Sequence, residues 1–119
     1  MDLAMLMVVA PDLGAAKAFY GAALGFALKS ETAARLVFAH GGADLVIFKG
    51  AAPAPPSRHG ETAATTFVFA VPDLGASMAA LRAKGVAFLH AAPAAGEFGR
   101  YAAFRDPFGN VLELLERAN

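Results

Sequence analysis

The chain carries a stretch of itself twice. Val9-Ala10-Pro11-Asp12-Leu13-Gly14-Ala15-Ala16 returns as Ala70-Val71-Pro72-Asp73-Leu74-Gly75-Ala76-Ser77. Each copy passes from an apolar stretch through Pro-Asp-Leu-Gly into an alanine-rich segment, then a glycine and another apolar stretch. Farther on, Arg35-Leu36-Val37-Phe38 parallels Tyr101-Ala102-Ala103-Phe104, and Asp44-Leu45-Val46-Ile47 parallels Asn110-Val111-Leu112-Glu113. Two copies are too few for a solenoid. The pattern predicts a pseudo-symmetric domain built from two halves, with a ligand site where the halves face each other.

Each half reads as βαβββ. Residues 3–10 are rich in Met, Leu and Val and stop at Pro11-Asp12, which predicts a buried strand. Asp12 is suited to cap a helix, because its carboxylate accepts from the free amides of the first turn. A helix over about 13–24 then places Leu13, Ala16, Phe19, Tyr20 and Ala23 on one apolar face. Strands follow over about 26–31, 34–39 and 43–49, with Gly41-Gly42 as a hairpin turn. The second half predicts a strand over 64–71, an Asp73 cap, a helix over 74–84 and strands over 86–90, 100–105 and 110–117. Residues 51–60 hold Pro53, Pro55 and Pro56. Proline has no amide to donate, so this stretch reads as a linker between half-domains 1–50 and 61–119. The expected fold is α+β, a strongly curved mixed sheet around a cleft, with the helices outside.

Composition narrows the function classes. Ten basic and ten acidic side chains give zero formal net charge, and no basic stripe is present for phosphates to dominate binding. The sequence is 57% hydrophobic, largely through alanine, yet no run approaches the ~20 apolar residues that span a bilayer. The first residues lack the basic segment of a secretory signal. With no cysteine, disulfides, thiolate metal sites and thiol catalysis are excluded. These features predict a cytoplasmic protein with neither nucleic acid nor membrane as partner.

The most specific motif is Phe104-Arg105-Asp106-Pro107-Phe108-Gly109-Asn110-Val111-Leu112-Glu113-Leu114, in which Asp-Pro and Gly-Asn turn the chain between two apolar strands. Together with Pro11-Asp12-Leu13, Phe19-Tyr20, Leu24-Gly25-Phe26 and the duplication, it resembles the vicinal oxygen chelate superfamily. That superfamily includes glyoxalase I, extradiol dioxygenases, methylmalonyl-CoA epimerase and bleomycin-resistance proteins. The resemblance covers the whole chain and implies the fold; the scaffold hosts several chemistries, so it does not fix a reaction.

The resemblance also implies where a metal would be held. Metal-dependent members place a His seven residues before the Asp that caps the first helix; here Met5 stands there. The corresponding position in the second half is Thr66, a third falls near Ile47, and the last is Glu113. Only Glu113 keeps a ligand of the kind that hard or borderline divalent ions favour. His40 precedes the predicted Gly41-Gly42 turn, His59 follows the prolines of the linker and His90 ends a short predicted strand; all three read as solvent-facing loop histidines. The expectation is therefore no bound metal and no cofactor.

Strand alternation places the implied ligand positions on the inner face. Met5, Met7 and Val9 are expected to face the cleft, with Leu6 and Val8 under the helix. Thr66, Val68 and Ala70 face in from the second half, with Leu45 and Ile47, with Val111, Glu113 and Leu115, and with Tyr101 and Ala103. Lys49, Arg58 and Arg100 read as solvated rim. The loop 91–99 would bring Phe98 over the cleft as an aromatic wall. The expected ligand-binding set is Met5, Met7, Ile47, Thr66, Val68, Phe98, Tyr101 and Glu113, with Glu113 as a hydrogen-bond acceptor or an anchor for a cationic ligand. The leading expectation is a homodimeric, metal-independent protein that sequesters an apolar or aromatic small molecule, as bleomycin-resistance proteins do. The alternative is a metal-dependent lyase, isomerase or dioxygenase using Glu113.

Overall fold

A computed structural model describes residues 1–51 and 55–118. The chain divides into two compact units, Met1–Pro53 and Ala54–Asn119. Strand pairing closes within each unit, so the described residues form two four-stranded mixed sheets.

In the first unit, β1 (Met5–Ala10) leads through the Asp12 cap into helix α1. The Asp12 carboxylate accepts from the Ala15 amide at 3.1 Å. Helix α1 is α-helical only over Leu13–Ala16; it continues over Lys17–Ala23 as a π-helix. The predicted helix over 13–24 is thus present, but most of it carries wider i→i+5 bonding such as Leu24 N to Phe19 O. Strands β2 (Ala27–Glu31), β3 (Arg35–Ala39) and β4 (Asp44–Lys49) complete the sheet in the order β1-β4-β3-β2. Strand β4 runs parallel to β1 and antiparallel to β3.

Ala16 and Tyr20 of α1 are fully buried, and the Tyr20 ring lies 6.4 Å from that of Phe38 on β3. Leu36, Phe38, Leu45 and Ile47 complete this core, each contributing about 2–3 kcal/mol through removal from water. The predicted face of β1 is as expected: Val8 and Ala10 are buried, while Met5, Met7 and Val9 are exposed. The predicted face of β4 is not. Leu6 pairs with Leu45 and Val8 with Ile47, so Leu45 and Ile47 share the buried side of β1. Phe48, opposite Val9, is the β4 residue exposed beside the methionine face.

In the second unit, β5 (Phe67–Ala70) leads through the Asp73 cap into α2 (Leu74–Ala83), where the Asp73 carboxylate accepts from Ala76 N at 3.0 Å. Leu74 and Met78, one turn apart, are buried, and α2 packs on β7 (Gly99–Arg105) and β8 (Val111–Arg117). The sheet order is β5-β8-β7-β6, with β5 parallel to β8 and β6 (Ala94–Gly96) forming a hairpin with β7. The predicted strand over 86–90 is only an isolated bridge between Phe88 and Phe104. Its place in the βαβββ order is taken by β6, inside the segment expected to be a loop. The reason is local: Arg82 of α2 donates to the carbonyls of His90 and Ala91 and lies over the Phe88 ring at 5.3 Å. This holds the segment to the helix, with only one residue laddered to β7.

The Asp-Pro-Phe-Gly-Asn turn joins β7 to β8. Asp106, 5% exposed, accepts from the amides of Phe108 and Asn110 through Oδ1 and from Asn110 Nδ2 through Oδ2, at 2.7–2.9 Å. Gly109 adopts φ +90, and a Cβ there would stand 2.8 Å from Pro56 Cβ, so both backbone conformation and space call for glycine. Of the Pro-rich segment, residues 52–54 lie outside the described residues. Beyond them the chain lies on the second sheet, where Arg105 donates from Nε and Nη2 to the Ser57 carbonyl at 3.3 and 3.2 Å.

Candidate functional site

On the second sheet, register brings the functional side chains to one face. Val68 pairs with Glu113, Ala70 and Tyr101 with Leu115, and Ala103 with Glu113. These side chains therefore alternate onto the side opposite Phe104, Leu112 and Leu114, which are buried. Over this face opens a cavity of about 550 Å³. Val68, Ala70 and Leu115 give it an apolar floor, Phe98 and Tyr101 give it aromatic walls, and Glu97, Glu113 and Arg117 supply charge. Phe98 is 73% exposed at the β6–β7 hairpin. The Tyr101 ring lies so close to Gly96 that a Cβ there would come within 2.9 Å of it, which fixes the ring as the wall between hairpin and floor.

Glu113 is mostly withdrawn from solvent. Its side chain is 17% exposed, and Oε2 lies 3.1 Å from His59 Nε2. A carboxylate only accepts, so the bond requires the proton on His59 Nε2. His59 is placed by a tight turn in which the amides of Glu61, Thr62 and Ala63 all donate to the Arg58 carbonyl and the Arg58 amide donates to Thr62 Oγ1. Arg105 at Ser57 and the packing of Pro56 against Gly109 hold that turn on the sheet. His90 packs edge-on against both His59 and Tyr101, each ring centroid at 5.5 Å. The Ala103 amide donates to His90 Nδ1 at 2.9 Å, so neutral His90 carries its proton on Nε2. The reading of His59 and His90 as solvent-facing loop residues is corrected: one orients the Glu113 carboxylate and the other braces the cluster. His40, in the first unit, instead packs edge-on against Phe26 at 5.3 Å.

The predicted set divides. Val68, Phe98, Tyr101 and Glu113 line one cavity. Thr66 precedes β5 and is half-buried; it is not among the residues lining the cavity. Met5 and Met7 belong to the first unit, 47% and 54% exposed. Ile47 is fully buried on the helix side of β4 and is not among the residues lining this cavity. Arg58 and Arg100 are exposed and ion-paired with Glu61 and Glu116. Among the described residues, no group of three or more His, Cys, Asp or Glu is placed to hold a metal ion. The four positions at which the family would supply ligands present a thioether, a hydroxyl, a buried hydrocarbon and one carboxylate. That donor set does not fit a divalent ion.

A duplicated βαβββ chain with the Asp-Pro-Phe-Gly-Asn turn before Glu113 matches the model of the glyoxalase/bleomycin resistance protein/dioxygenase superfamily over residues 2–114. The chain belongs to this superfamily. Solved structures share its architecture. SMU.1112c is 25% identical, with a TM-score of 0.82 over 98% of each chain. TnmS3, an antibiotic binding protein from Streptomyces sp. CB03234, is 27% identical, with a TM-score of 0.75 over 99% of this chain and 97% of that one. A glyoxalase/dioxygenase from Nostoc punctiforme, 20% identical, has a TM-score of 0.82 over 99% and 92%, which shows the fold alone. No curated protein matches the sequence. Among the described residues, no helix is long and apolar enough to cross a membrane.

Proposed function

We propose that this superfamily member binds an apolar or aromatic small molecule in the second-unit cavity and holds it without transforming it. The observation that carries the reading is the cavity itself: about 550 Å³, floored by aliphatic side chains and walled by Phe98 and Tyr101, with the largely buried Glu113 carboxylate in its lining and Glu97 and Arg117 as the other charged groups. Small-molecule sites have this make-up, an apolar surface that supplies affinity and a few polar groups that orient the ligand. The donor set argues against metal-assisted chemistry, and the likeness to an antibiotic-binding protein agrees with sequestration.

Isothermal titration against a panel of aromatic natural products, followed by mass spectrometry of the recovered ligand, tests the proposal. Saturable binding with the ligand recovered unchanged supports it. A ligand chemically altered in a Glu113-dependent manner would replace it with an enzymatic reading, in which the His59–Glu113 pair handles a proton.

A further inference from the structure

Among the described residues Glu113 Oε1 has no hydrogen-bond partner, although Oε2 is engaged by His59. Among the described residues no Lys or Arg forms an ion pair with this carboxylate. A carboxylate so placed, mostly out of water, with one oxygen uncommitted and its side chain in the cavity lining, favours a donor that also carries charge, because charge-assisted bonds are roughly twice as strong as neutral ones. The other charges of the cavity leave this carboxylate uncompensated. Glu97 and Arg117, whose formal charges cancel, both belong to the hairpin end, where Arg117 pairs with Gly99; Arg117 is four residues along β8 from Glu113, about 13 Å at the strand rise.

Resting on the binding function proposed above, we infer that the ligand is a flat aromatic molecule bearing a protonated amine, which docks on Glu113 Oε1. His59 acts as a positioning residue: by donating to Oε2 it fixes the carboxylate plane and leaves the second oxygen facing the cavity. The aromatic body lies along Val68, Ala70 and Leu115, against Phe98 and Tyr101. The sequence alone allowed Glu113 to be either a hydrogen-bond acceptor or a cation anchor; the choice of the cation rests on two observations, that among the described residues Oε1 has no partner and that no Lys or Arg is paired with this carboxylate.

Three probes of one shape test the inference: 2-naphthylmethylamine as its ammonium ion, neutral 2-naphthylmethanol and anionic 2-naphthoate, titrated calorimetrically into the full chain. The ammonium probe is expected to bind about tenfold more tightly than the alcohol, and the carboxylate more weakly than either. Glu113→Gln, shown to be folded by its melting curve, is expected to level the ammonium and alcohol affinities. His59→Leu is expected to cut the ammonium preference severalfold, whereas His59→Gln, which keeps an N–H donor, retains most of it. Equal binding of all three probes to the wild-type chain, or a preference that survives Glu113→Gln, overturns the inference and leaves apolar binding standing. Binding of none of them overturns both. The wild-type series requires no substitution, so a variant that fails to fold does not protect the inference.

Discussion

Glu116 Oε2 accepts a hydrogen bond from the Leu74 amide at 2.8 Å, joining the end of β8 to the first turn of α2. Its other oxygen accepts from Arg100 at 2.9 Å. A carboxylate at a helix N-terminus meets unpaired amides and the positive end of the helix dipole. The Leu74 amide and then Arg100 hold the Glu116 carboxyl below the usual glutamate range, with a smaller opposing effect of burial. A group whose folded value is lowered stabilises the fold above its unfolded value, 4.5 for this side chain. That contribution disappears as pH falls through the folded value. Wild type is therefore expected to melt above Glu116→Gln at about pH 7, and the gap to narrow as pH falls below 4.5. Paired melting curves across that range check it; a gap that is constant with pH would contradict it.

The turn between β7 and β8 should be intolerant of change at Asp106. Asp106→Ala removes the acceptor for two backbone amides and the Asn110 side chain. The expected loss is roughly 2–3 kcal/mol, the scale for leaving buried donors unpaired. Urea unfolding monitored by far-UV circular dichroism measures it.

Two glycines with similar backbone conformations should respond differently to alanine. Gly25, at φ +82, has nothing within 4 Å of a new Cβ, whereas at Gly109, φ +90, the Cβ would collide with Pro56. Gly25→Ala is expected to cost about 1–2 kcal/mol, the backbone penalty alone. Gly109→Ala should cost roughly 1–3 kcal/mol more through the collision. Since Pro56 belongs to the turn that carries His59, Gly109→Ala should also weaken ligand binding, which Gly25→Ala should leave unchanged. Equal effects of the two substitutions would argue against the docked position of Pro56.

Phe98 separates folding from binding. At 73% exposure it contributes little to the core, so Phe98→Ala should shift stability by less than about 0.5 kcal/mol. It removes an aromatic wall, and aromatic ligands should bind about tenfold more weakly, on the scale of one lost ring contact. Melting curves and calorimetric titration of the same preparation separate the two effects.

Much of this protein is legible in its sequence. The duplicated Pro-Asp-Leu-Gly places both helix starts, because an N-cap aspartate acts on amides within three residues. The Asp-Pro-Phe-Gly-Asn turn is equally local, because the Asp106 carboxylate accepts from Phe108 and Asn110, two and four residues on. Alternation fixes the faces of β1 and β8, where Met7 and Val8, or Glu113 and Leu114, differ visibly in environment. Tertiary structure alone decided the rest. Strand β4 is apolar without break from Leu45 to Phe48, so its phase is set only by pairing with β1, and this turns Ile47 into the core. The bond between His59 and Glu113 spans 54 residues of sequence. It depends on how a proline-bearing turn settles on a sheet, and short-range patterns carry no record of a contact made by folding across that distance.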